Sequence, residues 1–207
     1  MKKIKIGALS FQGGVSEHIS ATINAVRAIG RGECEVVAVK RKKELVELDA
    51  LIIPGGESTV LSRLITRENC WDEIRSIPNI FGTCAGAILL AKKVFGQEDG
   101  GQDSLGIMNI EVDRNAYGSQ TESFEEKIPV RLGADKTTPR ILDAIFIRAP
   151  KIKKAGVTCE VLAKRANGEI VAVSERVGRN FYLATTFHPE LSTTAFHEYF
   201  IKSVCVL

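Results

Sequence analysis

The sequence Ile80-Phe81-Gly82-Thr83-Cys84-Ala85-Gly86 places a thiol between two glycines, where an apolar run ends and a helix-forming run, residues 87–93, begins. The pattern predicts a strand, a tight turn and a helix, with Cys84 at the turn. Glycine on either side tolerates the close approach of strand and helix that such a turn requires. The free amides and partial positive charge at a helix N-terminus favour a thiolate. We therefore predict that Cys84 is the nucleophile of an enzyme.

Short apolar runs alternate with helical patterns through the first half of the chain. Strands are predicted at residues 4–11, 36–39 and 51–53, and helices at 16–29 and 59–66. Continuous Val, Ile and Leu strands separated by helices indicate a mostly parallel sheet covered on both faces. The candidate core positions of the first helix are Ile19, Ile23, Val26, Ala28 and Ile29.

The second half of the chain is rich in strand-like segments. They are residues 106–112, 127–132, 144–147, 158–163, 170–174 and 181–186, followed by a last helix at about 193–204. The dipeptide Asn167-Gly168 predicts a hairpin between residues 161–163 and 170–172. No internal repeat or linker is present, so we expect a single domain over residues 1–207. The predicted fold is α/β and three-layered: a mostly parallel central sheet flanked by helices, with additional antiparallel strands.

Composition excludes several classes of function. The 207 residues are 44% hydrophobic and 26% charged, with a net charge of +3, as in ordinary globular proteins. Such a small charge does not indicate a nucleic-acid partner, and the basic run at residues 40–43 is predicted to be a solvated loop face. No apolar run is long enough to span a bilayer. We expect a soluble, cytoplasmic protein with no nucleic-acid or membrane partner.

The cysteines argue against a disulfide framework and against a metal site. There are five, an odd number, and they are widely spaced without a Cys-x-x-Cys pair. A reducing compartment is the simplest setting for such a pattern. We expect no metal and no cofactor.

A thiol nucleophile needs a base, and the chain has only three histidines. His188 follows a predicted strand and opens His188-Pro189-Glu190, so it stands at the carboxyl end of a strand, where open α/β sheets place their sites. Glu190 is then able to orient the imidazole, as the acid of a triad does. The predicted catalytic residues are Cys84, His188 and Glu190. His18 and His197 fall in predicted helices, where packing or surface roles are the more common ones.

A second loop, Pro54-Gly55-Gly56-Glu57-Ser58-Thr59, leaves a strand and enters a helix. Its glycines permit backbone amides to face a ligand, and Ser58 or Thr59 is expected to cap the helix. A plain turn with a helix cap would explain the loop as well. The functional interpretation makes it an oxyanion and substrate loop beside Cys84, with the amides of Gly56 and Ala85 as the two donors.

These residues together resemble the class I (triad) glutamine amidotransferases, whose fold is flavodoxin-like, and most closely the glutaminase subunits of pyridoxal 5'-phosphate synthase, the PdxT/SNO family. The resemblance covers nearly the whole chain. The segments that carry it are residues 7–18, 51–59, 81–86, 112–120, 146–150 and 187–191, which include Pro-Gly-Gly-Glu-Ser-Thr, Arg-Asn-x-x-Gly, Phe-Ile-Arg-Ala-Pro and Phe-His-Pro-Glu-Leu. Three polar stretches, residues 31–37, 98–102 and 132–142, are longer than the family pattern and are predicted to be surface insertions.

The resemblance implies the substrate, the partner and the binding residues. The substrate is L-glutamine, hydrolysed to L-glutamate and ammonia, and the partner is the pyridoxal 5'-phosphate synthase barrel (PdxS family) in a large heteromeric complex. In this family the first loop, residues 12–18, lies near the same strand ends, and Glu17 and His18 are candidates for contact with the partner. The residues implied to bind glutamine are Gly55, Gly56, Glu57, Ser58, Arg114, Ile147 and Arg148.

Three alternatives remain open at this point. The chain is compatible with a glutaminase that serves another synthase, such as imidazole glycerol phosphate synthase. It is also compatible with a γ-glutamyl hydrolase or another cysteine hydrolase on the same architecture, which would act without a partner. A binding subunit that has kept the fold without catalysis is the third, and the complete set Cys84, His188 and Glu190 argues against it.

Overall fold

The computed structural model describes residues 3–30, 34–96, 101–115, 123–133 and 137–205. Its helices are α1 (Val15–Ala28), α2 (Ser58–Arg67), α3 (Trp71–Ser76), α4 (Ala85–Leu90) and α5 (Ala195–Val204). Its strands are β1 (Ile4–Leu9), β2 (Cys34–Val39), β3 (Ala50–Ile53), β4 (Asn79–Thr83), β5 (Ala91–Phe95), β6 (Met108–Asp113), β7 (Phe124–Val130), β8 (Arg140–Phe146), β9 (Lys151–Ala155), β10 (Cys159–Lys164), β11 (Ile170–Val177) and β12 (Asn180–Thr185).

The strands form one mixed sheet. Its main path runs β2-β1-β3-β4-β12-β11-β10-β7-β8, and β5, β6 and β9 branch from it. The first five strands of this path, β2, β1, β3, β4 and β12, are parallel to one another. Each of the next four, β11, β10, β7 and β8, is antiparallel to the strand before it. This confirms the prediction of a mostly parallel central sheet with additional antiparallel strands. The expectation of a single domain stays a prediction.

Helices cover both faces of the parallel strands, because successive side chains of each strand point to opposite faces. In β3, Leu51 and Ile53 pack in one hydrophobic cluster with side chains of α2, α3 and α4. Ala50 and Ile52 pack in a second cluster with side chains of α1 and α5. Both faces are therefore apolar, and the polar ends of the strands are left as the place for a site.

Several predicted boundaries are wrong. The run at residues 87–93 is not one helix: α4 ends at Leu90, and Ala91–Phe95 is the strand β5, which pairs with β6. In α1 the side chain of Ala28 is exposed, and those of Ile19 and Ile23 are only half-buried. The prediction is confirmed for Val26, which is buried together with His18, Ala21, Thr22 and Ala25. The hairpin at Asn167-Gly168 is confirmed as the turn between β10 and β11.

Parts of the predicted polar insertions and of one motif fall outside the described residues. These are residues 31–33, 98–100 and 134–136 of the three polar stretches, and residues 116–120 of the segment that follows Arg114. Gln102, the last residue of the second stretch, is described and does not belong to a solvated insertion, because its side chain is bonded to Ser58 and Arg114.

Candidate active site

Cys84 lies on the sharp turn between β4 and α4. Its backbone has φ 49° and ψ −103°. Residues other than glycine rarely adopt such a conformation, and it costs on the order of 1–3 kcal/mol. Its amide donates to the carbonyl of Thr185 at 2.8 Å, so the end of the neighbouring strand β12 helps to hold the turn. The side chain is 5% exposed, and its sulfur lies 3.8 Å from the carbonyl oxygen of Ile147. The predicted strand-turn-helix geometry around Cys84 is confirmed.

The two glycines of the motif let strand and helix pack at backbone distance. A Cβ atom on Gly82 would stand 2.5 Å from the carbonyl carbon of Gly86. A Cβ atom on Gly86 would stand 2.2 Å from the carbonyl oxygen of Ile53, at the end of β3. Because both obstacles are backbone atoms, a rotamer change cannot relieve them. The glycines are required by packing around Cys84.

Strand order brings His188 and the glycine-rich loop to the same place. β4 pairs with β12 on one side, where Thr83 stands opposite Thr185, and with β3 on the other, where Gly82 stands opposite Ile53. Cys84 directly follows β4, the Gly55-Gly56 loop follows β3, and His188 follows β12. A Cβ atom on Gly55 would stand 2.3 Å from His188 Cε1 and 3.1 Å from Cys84 Cβ, so the three groups are in contact.

His188 contacts both of the other predicted catalytic residues. Its Nδ1 lies 2.8 Å from Glu190 Oε1, and its ring lies beside Cys84, since a Cβ atom on Gly55 would touch both side chains. Burial lowers the pKa of His188, but the neighbouring Cys84 and Glu190 outweigh burial and raise it to about 10. Burial likewise raises the pKa of Glu190, but the neighbouring His18 and His188 lower it to about 2. A protonated imidazole against an ionised carboxylate is therefore the stable state at neutral pH.

A cavity of about 310 Å³ opens in front of Cys84. The predicted site residues that line it are Gly56, Glu57, Ser58, Cys84, Arg114, Ile147, Arg148 and His188, together with Ile88 and Asn115. Gly55 lies behind them against His188, and Ala85 is the first residue of α4, where a helix amide has no acceptor within the helix. Glu190, whose side chain is 1% exposed, lies behind His188. The structure thus brings together every residue predicted for the site.

The entrance of the cavity carries a charged pair held by a glutamine. Arg114 donates to Glu57 Oε1 at 3.0 Å and to Gln102 Oε1 at 3.1 Å. Ser58 Oγ donates to the same oxygen of Gln102 at 3.0 Å. Glu57 also caps α2, since its Oε2 accepts from the amide of Val60, so the expectation that Ser58 or Thr59 caps this helix is wrong.

Sequence reasoning missed Gln102, because nothing local marks it. It stands in a polar loop that looks like a surface insertion, and only the tertiary structure places it beside Ser58 and Arg114. The expectation that His18 contacts a partner is wrong, because its side chain is 0% exposed. Its Nε2 lies 3.0 Å from Thr83 Oγ1 and 3.4 Å from Glu190 Oε2, and its Nδ1 lies 3.0 Å from Nε2 of the equally buried His197. Glu17 remains an exposed candidate for such a contact.

His197 makes the fold sensitive to acid. Burial, together with the nearby His18, lowers the pKa of His197 from its ordinary 6.5 to about 3. Between these values the unfolded chain binds a proton at His197 that the folded chain excludes, so the contribution of this residue to stability falls as pH falls. We expect His197→Leu to remove this dependence, which is up to about 1.4 kcal/mol per pH unit. Urea unfolding of both proteins at pH 7.0 and pH 5.5 measures it.

Phe196→Leu, a change in the same buried helix without a titrating group, is the control and should keep the wild-type dependence. Unfolding is compared only above pH 5, because at lower pH the titration of Glu190 also changes the stability. The lowered pKa of Glu190 stabilises the fold above its ordinary value of 4.5, and this contribution is lost as pH falls from there towards 2. Equal pH dependence in wild type and His197→Leu would contradict the prediction.

In the described part of the chain, no helix has both the length and the apolar character needed to cross a membrane. Within the same residues, no three His, Cys, Asp or Glu side chains are grouped as metal ligands would be.

Known proteins resemble this chain over nearly its full length. It is 44% identical to the pyridoxal 5'-phosphate synthase subunit PdxT of Oenococcus oeni over 203 residues, which cover 96% of each chain. It is also 44% identical to the protein of the same name from Brevibacillus brevis over 207 residues, which cover 97% of each chain. A crystal structure described as a glutamine amidotransferase has a TM-score of 0.76 and 39% identity, with 97% of this chain and 99% of the other covered.

The structural neighbour confirms the predicted fold of the class I glutamine amidotransferases. The family model described as the SNO glutamine amidotransferase family matches residues 8–206, so the resemblance seen in the sequence motifs is confirmed. The strained cysteine, the His188–Glu190 pair and this match agree with one another, and the chain belongs to the SNO glutamine amidotransferase family.

Proposed function

We propose that this chain hydrolyses L-glutamine to L-glutamate and ammonia, and that Cys84, His188 and Glu190 are its catalytic triad. One observation carries the proposal: Cys84 and His188 lie side by side at the wall of a single cavity, and His188 is hydrogen-bonded to Glu190. Family membership supports the same reaction. The alternative of a non-catalytic binding subunit would leave the strained backbone of Cys84 without a purpose.

The triad divides the hydrolysis into two steps. The Cys84 thiolate attacks the side-chain amide carbon of glutamine, and the imidazolium of His188 gives its proton to the departing nitrogen, which leaves as ammonia. The product is a γ-glutamyl thioester, in which the sulfur of Cys84 is bonded to the former amide carbon of the substrate. His188 then takes a proton from water, the hydroxide attacks the thioester, and glutamate leaves as the thiolate is restored. Glu190 holds His188 in one orientation throughout.

The tetrahedral intermediates carry negative charge on oxygen, and we assign its stabilisation to the amides of Gly56 and Ala85. Gly56 lines the cavity, and Ala85 follows Cys84 at the start of α4. Each such donor contributes about 3 kcal/mol to the transition state.

Charge complementarity assigns the rest of the substrate to the entrance of the cavity. Glutamine carries an α-ammonium and an α-carboxylate, and the entrance holds the carboxylate of Glu57 and the guanidinium cation of Arg114. We assign the α-carboxylate to Arg114 and the α-ammonium to Glu57, within a cavity also lined by Ser58, Ile147 and Arg148. Gly55 contributes by letting the loop approach His188.

Arg114→Ala is expected to raise the KM for glutamine about 10- to 100-fold, because a charged hydrogen-bond donor to the substrate is lost. The value of kcat should change much less, since Arg114 does not contact the reacting amide. Steady-state glutaminase kinetics measure both constants. Arg67→Ala, at an exposed position of α2, is the matched control and should leave both unchanged. A fall in kcat with KM unchanged would contradict the assignment.

We also propose that the ammonia passes to a pyridoxal 5'-phosphate synthase barrel subunit (PdxS family), with which the chain forms a large heteromeric complex. The relatives that are 44% identical are named as subunits of that synthase, which supports the proposal. The chemistry agrees, because ammonia released into neutral water becomes ammonium and loses its nucleophilic lone pair. A protected path to a second active site keeps it reactive.

Glutaminase assays of the chain alone and mixed with the synthase barrel test the proposed function. We expect turnover of glutamine that increases when the barrel is added, and covalent labelling of Cys84 by a diazo-ketone analogue of glutamine. Turnover of γ-glutamyl peptides without any partner would favour a γ-glutamyl hydrolase instead. Activation only by the barrel of imidazole glycerol phosphate synthase would favour the alternative that the chain is the glutaminase subunit of that synthase. No turnover and no labelling with any partner would reject the proposed function.

A further inference from the structure

A buried polar cluster lies behind the proposed triad, and no step of the proposed reaction uses it. It consists of His18 on α1, His197 on α5 and Thr83 on β4, all fully buried. His18 is its centre, because it contacts the other two and also Glu190. Buried polar groups are costly unless they are bonded, so a packing role alone favours an apolar side chain at this position of α1.

The second oxygen of Glu190 depends on His18. A carboxylate has two oxygens that accept hydrogen bonds, and Oε1 is used by His188. Among the described residues, the buried Oε2 has no partner that meets hydrogen-bond geometry, and the ion-pair contact that it makes is with His18 Nε2 at 3.4 Å. Hydrogen bonds in an active site without substrate are commonly longer than ideal. His18 is therefore placed to complete the coordination of the carboxylate.

The bond to His197 indicates which nitrogen of His18 carries the proton. If Nδ1 carried it, the lone pair of Nε2 would face the negative Glu190, and the proton of His197 would move to its Nδ1, which has no partner among the described residues. If Nε2 carries it, His18 donates towards Glu190 and Thr83, and its Nδ1 accepts from His197 Nε2. The second arrangement avoids both the repulsion and a buried unpaired N–H.

We propose that His18 is a positioning residue for the triad: its Nε2–H, oriented by His197, holds Glu190 in the orientation that supports His188. The proposal deepens the proposed function and rests on it for its catalytic readout. His18 touches neither substrate nor Cys84 and acts only through Glu190. The lowered pKa of Glu190, to which the bond from His18 contributes, agrees with this role.

The first test is a measurement on the wild-type protein and needs no substitution. Nitrogen-15 shifts of histidine side chains distinguish the two neutral tautomers. We expect His18 in the Nε2–H form and His197 as a neutral ring at pH 7. The Nδ1–H form at His18 would overturn the proposal, because that form donates nothing to Glu190.

The second test compares His18→Asn with His18→Gln. The amide nitrogen of asparagine stands about where Nδ1 does, whereas that of glutamine reaches the position of Nε2, so only the glutamine variant keeps a donor near Glu190. We expect kcat for glutamine to fall about tenfold in His18→Asn, as for one charge-assisted hydrogen bond, with KM nearly unchanged. His18→Gln should recover most of the loss.

Phe81→Leu is the control for packing. The Phe81 ring packs against both His18 and His197, with centroids 6.2 Å and 5.4 Å apart, and it offers no hydrogen bond. This variant should lose stability and keep kcat. Equal kcat values in His18→Asn and Phe81→Leu would overturn the proposal.

A third readout does not depend on glutamine turnover. The rate of Cys84 alkylation by iodoacetamide, measured against pH on the chain alone, follows the coupled proton equilibrium of Cys84 and His188. Glu190, Glu17 and His197 are the other titrating groups near His18 in the described structure. Without the contact from His18, Glu190 is free to turn away from His188 and supports the imidazolium less, so the acid limb should move to higher pH in His18→Asn and return in His18→Gln. Unchanged profiles reject the positioning role, whereas a wild type that turns over no glutamine rejects the proposed function.

Discussion

Cys84→Ala is expected to abolish the hydrolysis of glutamine, with a loss of at least about 10⁴-fold in kcat. The thiol forms the covalent intermediate, and Cys84 is the one cysteine among the described residues that line the cavity. The cavity itself should survive, since Cys84 is at the end of β4 and alanine fits the same space. In the complex with the synthase barrel, synthesis from added ammonium should therefore continue. Assays with glutamine and with ammonium as nitrogen source measure the two activities separately.

Cys70→Ala is the matched control for this experiment. Cys70 is fully buried, and burial, with Glu73 and Glu68 nearby, raises the pKa of its thiol to about 11, so it is neither accessible nor ionised at neutral pH. The variant should keep full activity with glutamine. Loss of both activities in Cys84→Ala would mean that the change damages assembly, and retention of glutaminase activity would exclude Cys84 as the nucleophile.

Gly86→Ala is expected to destabilise the fold by about 3 kcal/mol, the upper end for an added methyl group that has no space. The new Cβ atom would overlap the carbonyl oxygen of Ile53, and backbone on both sides prevents a local adjustment. Relief requires α4 to move away from β3, which also displaces the Cys84 turn. Urea unfolding gives the stability, and the alkylation rate of Cys84 reports the displaced turn.

Gly178→Ala provides the control for replacing a glycine as such. Gly178 has φ +60° with open space around its Cβ position, so alanine there meets only the backbone penalty of about 1 kcal/mol. It should leave the Cys84 alkylation rate unchanged. If both variants lost the same stability, the contact between Gly86 and Ile53 would not be the reason for the glycine.

The parts of the site that were predictable are those coded by neighbours in the chain. The turn at Cys84 follows from an apolar strand, two glycines and a helix former within a few residues, and His188 and Glu190 are separated by one residue. Their hydrogen bond at 2.8 Å is therefore a local structure. The assignment of α1 core positions failed in part: apolar periodicity selected Ile19, Ile23 and Ala28 but not His18 and Thr22. The His18 ring is bonded to side chains of other elements, and the Thr22 hydroxyl donates to the backbone of its own helix.

Gln102 and His18 illustrate what local patterns leave out. Gln102 meets Ser58 and Arg114 across the cavity entrance, and His18 meets Thr83, His197 and Glu190 from three other elements. A polar side chain in a loop or on a helix looks the same in the sequence whether solvent or a carboxylate faces it. Only the packing of α1 and α5 against the sheet distinguishes these cases.

The sequence by itself determined the reactive turn, the His-Pro-Glu pair and the alternation of strands and helices, because each depends on residues close together in the chain. Only the tertiary structure decided that β12 lies beside β4, which brings His188 to Cys84 from more than a hundred positions away. The physical reason is that backbone hydrogen bonds between strands are the same for every residue type. Strand order is chosen instead by the simultaneous burial of both sheet faces under helices contributed by the whole chain.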